Sequence, residues 1–179
     1  LKSNPNQIGQ LPTEVNHAWN VVKINNNWSF IDVTLGAGYV SSKTNSFKFH
    51  FNDSYFLMAP DDFFMNHYPS EETWLLIRKS KIDFANYPLL FGNYFEQKYT
   101  MAPLDTGIIS SGQTPDFLFK LNGLTESDYV QYSFDSEKKS DVLEPDNLSN
   151  YRISIAGKKD NFLSLFVNGK IIAMFKIHP

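Results

Sequence analysis

The stretch that decides the fold is "NHAWNVVKINNNWSFIDVTLGAG", residues 16–38. Two apolar runs, residues 18–24 and 28–35, flank three consecutive asparagines. Because asparagine tolerates the positive φ angles that tight turns require, this pattern predicts a β-hairpin with the asparagines at its tip. His17 begins the first strand of this hairpin, and Asp32 lies on the second.

The hairpin brings His17 and Asp32 towards each other. A turn centred between residues 24 and 25 pairs them across the two strands, where opposite residues lie about 5 Å apart. We therefore predict that their side chains lie within hydrogen-bond reach. A carboxylate on one imidazole nitrogen fixes the tautomer and leaves the other nitrogen free to take a proton, so a nearby thiol would ionise readily. The alternative is a structural pair whose members only satisfy each other in a half-buried hairpin.

The composition excludes several classes of protein. The 179 residues carry a net charge of -3 without a basic block, so we expect no nucleic-acid partner. No apolar run approaches the roughly 20 residues of a membrane span. An aromatic content of 16% is typical of a folded, β-rich protein. Leu1 is not an initiator methionine, so we expect a fragment or a processed product of a longer protein.

The chain continues with a second strand pattern and a helical turn. "SFKFHFND" alternates phenylalanine with polar residues, which predicts a half-buried strand. In that strand Phe47, Phe49 and Phe51 face the core and His50 faces solvent. Further on, a proline followed by two acids begins a predicted helical turn in residues 60–69.

After residue 102 the pattern becomes that of an all-β unit. The turns between the apolar runs carry Gly, Asn, Asp and Pro, and the last two runs flank Asn168-Gly169, a strong hairpin signal. Such spacing predicts an immunoglobulin-like β-sandwich. The predicted strands cover residues 106–111, 117–122, 129–135, 151–156, 162–167 and 170–177.

The opening stretch resembles the histidine and aspartate segments of the transglutaminase-like superfamily. There, His-Ala-Trp-Asn and then Trp-x-x-x-Asp-x-Thr is a recurring pattern, which this chain matches from His17 to Thr34. "YFLMAPDDFFMNHYPSEETWLLI" and "FANYPLLFGNYF" resemble the continuation in the kyphoscoliosis peptidase-like branch. The resemblance covers roughly residues 14–95.

This resemblance implies a cysteine-dependent active site. His17 would be the catalytic histidine and Asp32 the catalytic aspartate, with Trp19, Asn20 and Thr34 supporting them. The family's nucleophilic cysteine lies upstream, at a helix N-terminus that lowers the pKa of the thiol. This chain contains no cysteine and starts after that point, so we expect no turnover by the chain alone. The mechanism needs no cofactor.

We therefore predict an α+β, mostly β protein with two domains. Residues 1–80 would be the C-terminal half of a transglutaminase-like core with an antiparallel sheet, residues 81–96 a connector, and residues 97–179 the sandwich. The predicted function is part of a cysteine peptidase or amide acyltransferase acting on a protein or peptide. The alternative is a non-catalytic protein-binding module. Without the cysteine-bearing half one face of the sheet would be uncovered, so the chain would tend to associate through it.

Other candidate sites have weaker patterns. A metal site built from His17, Asp32 and His50 lacks the spacing of a metal-ligand motif, so we expect no metal. His67, in "NHYP", is expected to cap or pack rather than to catalyse. No Gly-x-Ser-x-Gly elbow surrounds the serines that could replace the cysteine, which are Ser3, Ser29 and Ser41.

Overall fold

The computed structural model describes residues 1–41, 43–112, 115–146, 149–159 and 161–178. It confirms an α+β, mostly β protein, with 37% strand and 17% helix. The strands are β1 (Asn20–Ile24), β2 (Asn27–Ile31), β3 (Gly38–Ser41), β4 (Ser46–Phe49), β5 (Phe56–Met58), β6 (Leu89–Leu90), β7 (Thr100–Ala102), β8 (Ile108–Ser110), β9 (Asp116–Asn122), β10 (Val130–Phe134), β11 (Asp141–Leu143), β12 (Asn150–Ser154), β13 (Phe162–Val167) and β14 (Lys170–His178). The short α-helices are α1 (Val33–Ala37), α2 (Pro60–Phe64), α3 (Lys81–Asn86) and α4 (Gly92–Glu96).

The predicted hairpin is present as β1 and β2. Its two turn residues, Asn25 and Asn26, have φ angles of 48° and 66°, as a tight two-residue hairpin turn requires. The turn is centred between these two asparagines, one residue beyond the centre that would place His17 directly opposite Asp32. The strands also end sooner than predicted, so His17 lies before β1 and Asp32 lies after β2.

The sequence predicts that the second strand of the hairpin continues to Leu35, but the structure does not show this. The strand ends at Ile31, and α1 begins at Val33 with Asp32 as its N-cap. One carboxylate oxygen of Asp32 accepts the backbone N–H groups of Thr34 and Leu35, both at 3.0 Å. These bonds satisfy the free donors of a first helical turn, which outweighs the strand preference of the β-branched residues.

The hairpin is completed by β5 and covered by α2. Strand β5 pairs with β2, so the sheet order is β1-β2-β5. Helix α2 packs on this sheet through Phe63, whose ring stacks on that of Phe30 in β2 with 4.5 Å between centroids. Because α2 lies on the hairpin, the residues that follow it reach the side of the sheet where Asp32 lies.

The second strand pattern forms a two-stranded sheet of β3 and β4, but its phenylalanines are not buried. Phe47, Phe49 and Phe51 are 57%, 78% and 67% exposed. The prediction that these side chains face a core is therefore wrong. In the described part of the chain β3 and β4 pair only with each other, and the exposure of the three rings shows that no second layer there covers them.

The C-terminal part contains two sheets. One has the order β11-β10-β13-β14-β6, with β8 parallel to β14, and the other has the order β12-β9-β7. Their inner faces meet where the rings of Phe117 and Phe175 lie 4.7 Å apart. The hairpin at Asn168-Gly169 is confirmed, with φ angles of 52° and 74°. Strand β6 comes from the predicted connector, and the predicted domain boundaries stay a prediction.

One hydrophobic core joins the hairpin sheet to the C-terminal sheets, because the same cluster of buried side chains extends from Phe30 to Ile177. The N-terminal segment is fixed separately by Lys2, whose side chain is buried. Its ammonium donates to the carbonyls of Phe84 and Tyr87 at 2.7 and 2.6 Å, at the C-terminal end of α3. No helix in the described ranges is long and apolar enough to cross a membrane.

Candidate functional site

The site is centred on His17 and Asp32. The Nε2 atom of His17 lies 2.5 Å from Oδ2 of Asp32, which confirms the predicted contact. The side chain of His17 is 12% exposed, whereas that of Asp32 is fully buried. The contact forms at the open end of the hairpin, between the residue that leads into β1 and the residue that caps α1.

The carboxylate of Asp32 is held on both oxygens. While Oδ1 caps α1, Oδ2 lies against two imidazole rings, those of His17 and His67. Burial raises the pKa of this carboxyl, but the hydrogen bonds with His67, the backbone of Leu35 and His17 outweigh it and lower the pKa to about 2. Asp32 is therefore ionised at neutral pH and fixed in one orientation.

His67 is the residue that sequence reasoning missed in this site. It follows α2, its ring stacks on Phe63 with centroids 3.7 Å apart, and its side chain is 1% exposed. Its Nε2 lies 3.0 Å from Oδ2 of Asp32 and its Nδ1 lies 3.1 Å from the carbonyl oxygen of Phe63. The packing role expected for His67 is thus only part of what the structure shows. Burial lowers the pKa of this histidine, and the contact with Asp32 opposes the shift.

The three residues predicted to support the pair differ in how they lie relative to it. Trp19 packs its ring beside both histidines, 6.2 Å from His17 and 5.2 Å from His67. Thr34 contributes its backbone N–H to Asp32. Asn20 is exposed at the first position of β1.

A cleft opens beside His17. Its volume is about 540 Å³, and Asp32 and His67 are buried next to it. The cleft is bordered by the N-terminal segment on one side and by aromatic residues after α2 on the other. The apolar and aromatic side chains that line the cleft with His17 include Val15, Trp19, Phe30, Tyr68, Pro69 and Trp74.

The same residues form a group that could hold a metal ion. His17, Asp32 and His67 each offer one ligand atom, and these atoms lie within 4.8 Å of one another. His50, the third member of the metal site that sequence reasoning considered and did not favour, lies elsewhere, with its Nε2 3.1 Å from Glu96. No ligand spacing in the sequence indicates this group, because His67 reaches Asp32 through the packing of α2, which is not a local feature of the sequence.

Comparison with curated proteins identifies relatives of this chain. The chain is 31% identical over 134 residues to kyphoscoliosis peptidase of Mus musculus and equally to that of Homo sapiens, covering 67% of this chain. It is 25% identical over 109 residues to the LIM and transglutaminase domain protein ltd-1 of Caenorhabditis elegans, covering 55% of this chain. The chain spans about 20% of the length of the two peptidases and 15% of the worm protein. No family model and no solved structure matches the chain.

Proposed function

We propose that this chain, which belongs to the kyphoscoliosis peptidase-like branch of the transglutaminase-like superfamily, supplies the histidine and aspartate of a Cys-His-Asp triad. The observation that carries the proposal is the 2.5 Å contact between His17 Nε2 and Asp32 Oδ2 beside an open cleft. The relatives named as peptidases support it, and so does a carboxylate that stays ionised at neutral pH.

The chemistry follows from which atom of His17 is engaged. Because Nε2 lies against Asp32, Nδ1 is the atom that exchanges a proton with the nucleophile. The thiolate attacks an amide carbonyl, and His17 then protonates the departing amine. Water completes hydrolysis of the acyl-enzyme, or a second amine completes acyl transfer. Asp32 orients the imidazole and stabilises it when it is protonated.

The nucleophile comes from outside the 179 residues, because they contain no cysteine. In this proposal a cysteine at a helix N-terminus lies across the cleft from His17. The substrate is a protein or a peptide, which fits a cleft of about 540 Å³ bordered by aromatic side chains. The chain by itself turns over no peptide amide.

The second candidate is a non-catalytic protein-binding module. The exposed rings of Phe47 and Phe49 on β4, and of Phe51 just after it, favour it, since exposed apolar patches mark interaction surfaces. In this proposal the β3–β4 sheet is the part through which the chain associates. Sedimentation velocity of the chain and of a Phe49→Ser variant tests it, because a concentration-dependent shift should weaken in the variant.

The decisive experiment uses the gene product that contains these residues. We expect it to hydrolyse a labelled peptide amide or to incorporate an amine, and we expect His17→Ala to lower the rate by roughly a thousandfold or more. His50→Ala is the matched control and should leave the rate unchanged, because His50 pairs with Glu96 outside the cleft. Activity that survives His17→Ala would contradict the triad. Activity of the 179-residue chain that resists thiol reagents and is lost in His17→Ala would reveal a different nucleophile.

A further inference from the structure

We propose that His17, Asp32 and His67 form a binding site for one divalent transition-metal ion of the zinc type, beside the cleft. Their ligand atoms lie within 4.8 Å of one another, the only such group of three among the described residues. The three come from separate parts of the fold: the lead into β1, the N-cap of α1 and the turn after α2. This site does not depend on the proposed catalytic function.

The donor set matches the ion. Two imidazole nitrogens and one carboxylate oxygen are the ligands of many sites that hold zinc through three protein groups. Such sites keep a fourth position for water or another ligand. Here His17 borders the cleft while Asp32 and His67 are buried, so the fourth position would face the cleft.

His67 supplies the most specific observation. The carbonyl oxygen of Phe63 can only accept a hydrogen bond, so the 3.1 Å contact requires a proton on Nδ1 of His67. In the neutral ring, Nε2 then presents a lone pair to Oδ2 of Asp32, another acceptor, at 3.0 Å. A cation at Nε2 makes this contact favourable, whether it is a proton, as in the hydrogen bond described above, or a metal ion between the two atoms. Histidines that bind metals usually donate their other ring N–H to a carbonyl in this way.

The carboxylate of Asp32 also has one oxygen that is available to a metal ion. Oδ1 of Asp32 is held by the backbone N–H groups of Thr34 and Leu35, which leaves Oδ2 as the ligand atom. Zinc lies about 2.0–2.2 Å from nitrogen and oxygen ligands, which separates tetrahedral neighbours by roughly 3.4 Å. The observed separations from Oδ2 are 2.5 Å to His17 and 3.0 Å to His67. The ligands therefore need to move apart by less than about 1 Å, and His17, at the cleft, is the one with room to do so.

A bound ion would have one consequence for the proposed triad. The metal would take the Nε2 atom of His17 that otherwise lies on Asp32. The imidazole could then no longer cycle through its protonated form, because a metal-bound ring keeps its lone pair on the metal. Metal binding and the proposed catalysis would therefore exclude each other.

Calorimetric titration of the untagged chain with Zn²⁺ tests the site. We expect one ion per chain with micromolar or tighter affinity at pH 7.5, and weaker binding at pH 5.5 because protons compete for the histidines. His67→Gln and His17→Gln should each weaken binding by about 100-fold or more. His50→Gln should bind as the unmodified chain does. The absence of cysteine removes thiolates as competing ligands.

A second measurement needs no variant of the buried site. Histidine modification by diethylpyrocarbonate, followed by mass spectrometry, should show that Zn²⁺ protects His17 but not His50. The proposal is overturned if no saturable binding is found, if His67→Gln binds as tightly as the unmodified chain, or if Zn²⁺ protects both histidines alike. Because neither readout uses turnover, failure of the metal site and failure of the triad are distinguished.

Discussion

Two substitutions of Asp32 separate the two roles of its carboxylate. Asp32→Asn keeps an oxygen that can accept the backbone N–H groups of Thr34 and Leu35, so α1 keeps its N-cap. It replaces the other oxygen by an amide group that faces two imidazole nitrogens. Asp32→Ala removes the cap and the histidine contacts together. The difference between the two variants therefore measures what the cap and the remaining amide–imidazole hydrogen bond contribute together.

The magnitude follows from the bonds that are lost. An N-cap contributes about 1 kcal/mol, and a hydrogen bond to a charged group contributes about 1.5–3 kcal/mol. Because the two histidine contacts share one oxygen, they do not add fully. We expect Asp32→Ala to lower the free energy of unfolding by roughly 3–5 kcal/mol at pH 7. Asp32→Asn should lower it by about 1–3 kcal/mol, since the amide can still donate to one imidazole.

The pH dependence provides an independent check. The pKa of Asp32 falls from 3.8 to about 2 in the folded protein, so the folded state holds this proton less tightly than the unfolded state. The resulting stabilisation is complete above about pH 5 and is lost as the pH falls through about 2. A pKa shift of this size stabilises the folded state by about 2 kcal/mol at neutral pH, and about half of this stabilisation is lost by pH 3.

Urea unfolding followed by the fluorescence of the three tryptophans measures these differences. We expect the difference in the free energy of unfolding between the unmodified chain and Asp32→Asn to be smaller by about 1 kcal/mol at pH 3 than at pH 6. An unchanged difference would mean that His17 and His67 do not hold the ionised carboxylate. Equal losses in Asp32→Asn and Asp32→Ala would mean that the cap contributes nothing.

Three further substitutions test the packing and the buried lysine, each by urea unfolding. Phe63→Ala should lower the free energy of unfolding by about 3–5 kcal/mol, because this 2% exposed ring is stacked between Phe30 and His67. A loss under about 1 kcal/mol would contradict the packing of α2 on the hairpin. Phe49→Ser should change stability by no more than about 0.5 kcal/mol, and a large loss would show that the 78% exposed ring is covered. Burial lowers the pKa of Lys2 to about 7, so the unfolded chain binds more protons above that pH. The stability of the unmodified chain relative to Lys2→Met should therefore rise from pH 7 to pH 9.5, and a constant difference would contradict a buried ammonium.

Features set by local chemistry were predicted well. The turns at Asn25-Asn26 and Asn168-Gly169 depend on residues that tolerate positive φ angles, and both are present. The contact between His17 and Asp32 was predicted from a hairpin of roughly correct register. The two residues meet although the turn lies one residue from the centre that would pair them, because both lie just beyond the paired strands, where Asp32 turns the backbone into α1 as its N-cap.

Features set by tertiary packing could not be predicted in the same way. The alternation around Phe49 shows which side chains share a face, but whether that face is covered depends on other segments. The contact between His67 and Asp32 spans 35 residues and depends on how α2 packs on the hairpin. The end of β2 at Ile31 depends on a side-chain cap by Asp32, which competes locally with the strand preference of Val33 and Thr34.

The proposed triad is tested most directly by the pH dependence of cysteine alkylation in the gene product that contains these residues. A thiol paired with His17 should react with iodoacetamide already near pH 6, because the imidazolium stabilises the thiolate. His17→Gln should raise the midpoint of that profile towards about 8.5, the pKa of an ordinary thiol, while His50→Gln leaves it unchanged. If no cysteine has a profile that responds to His17→Gln, His17 and Asp32 are not part of a cysteine triad.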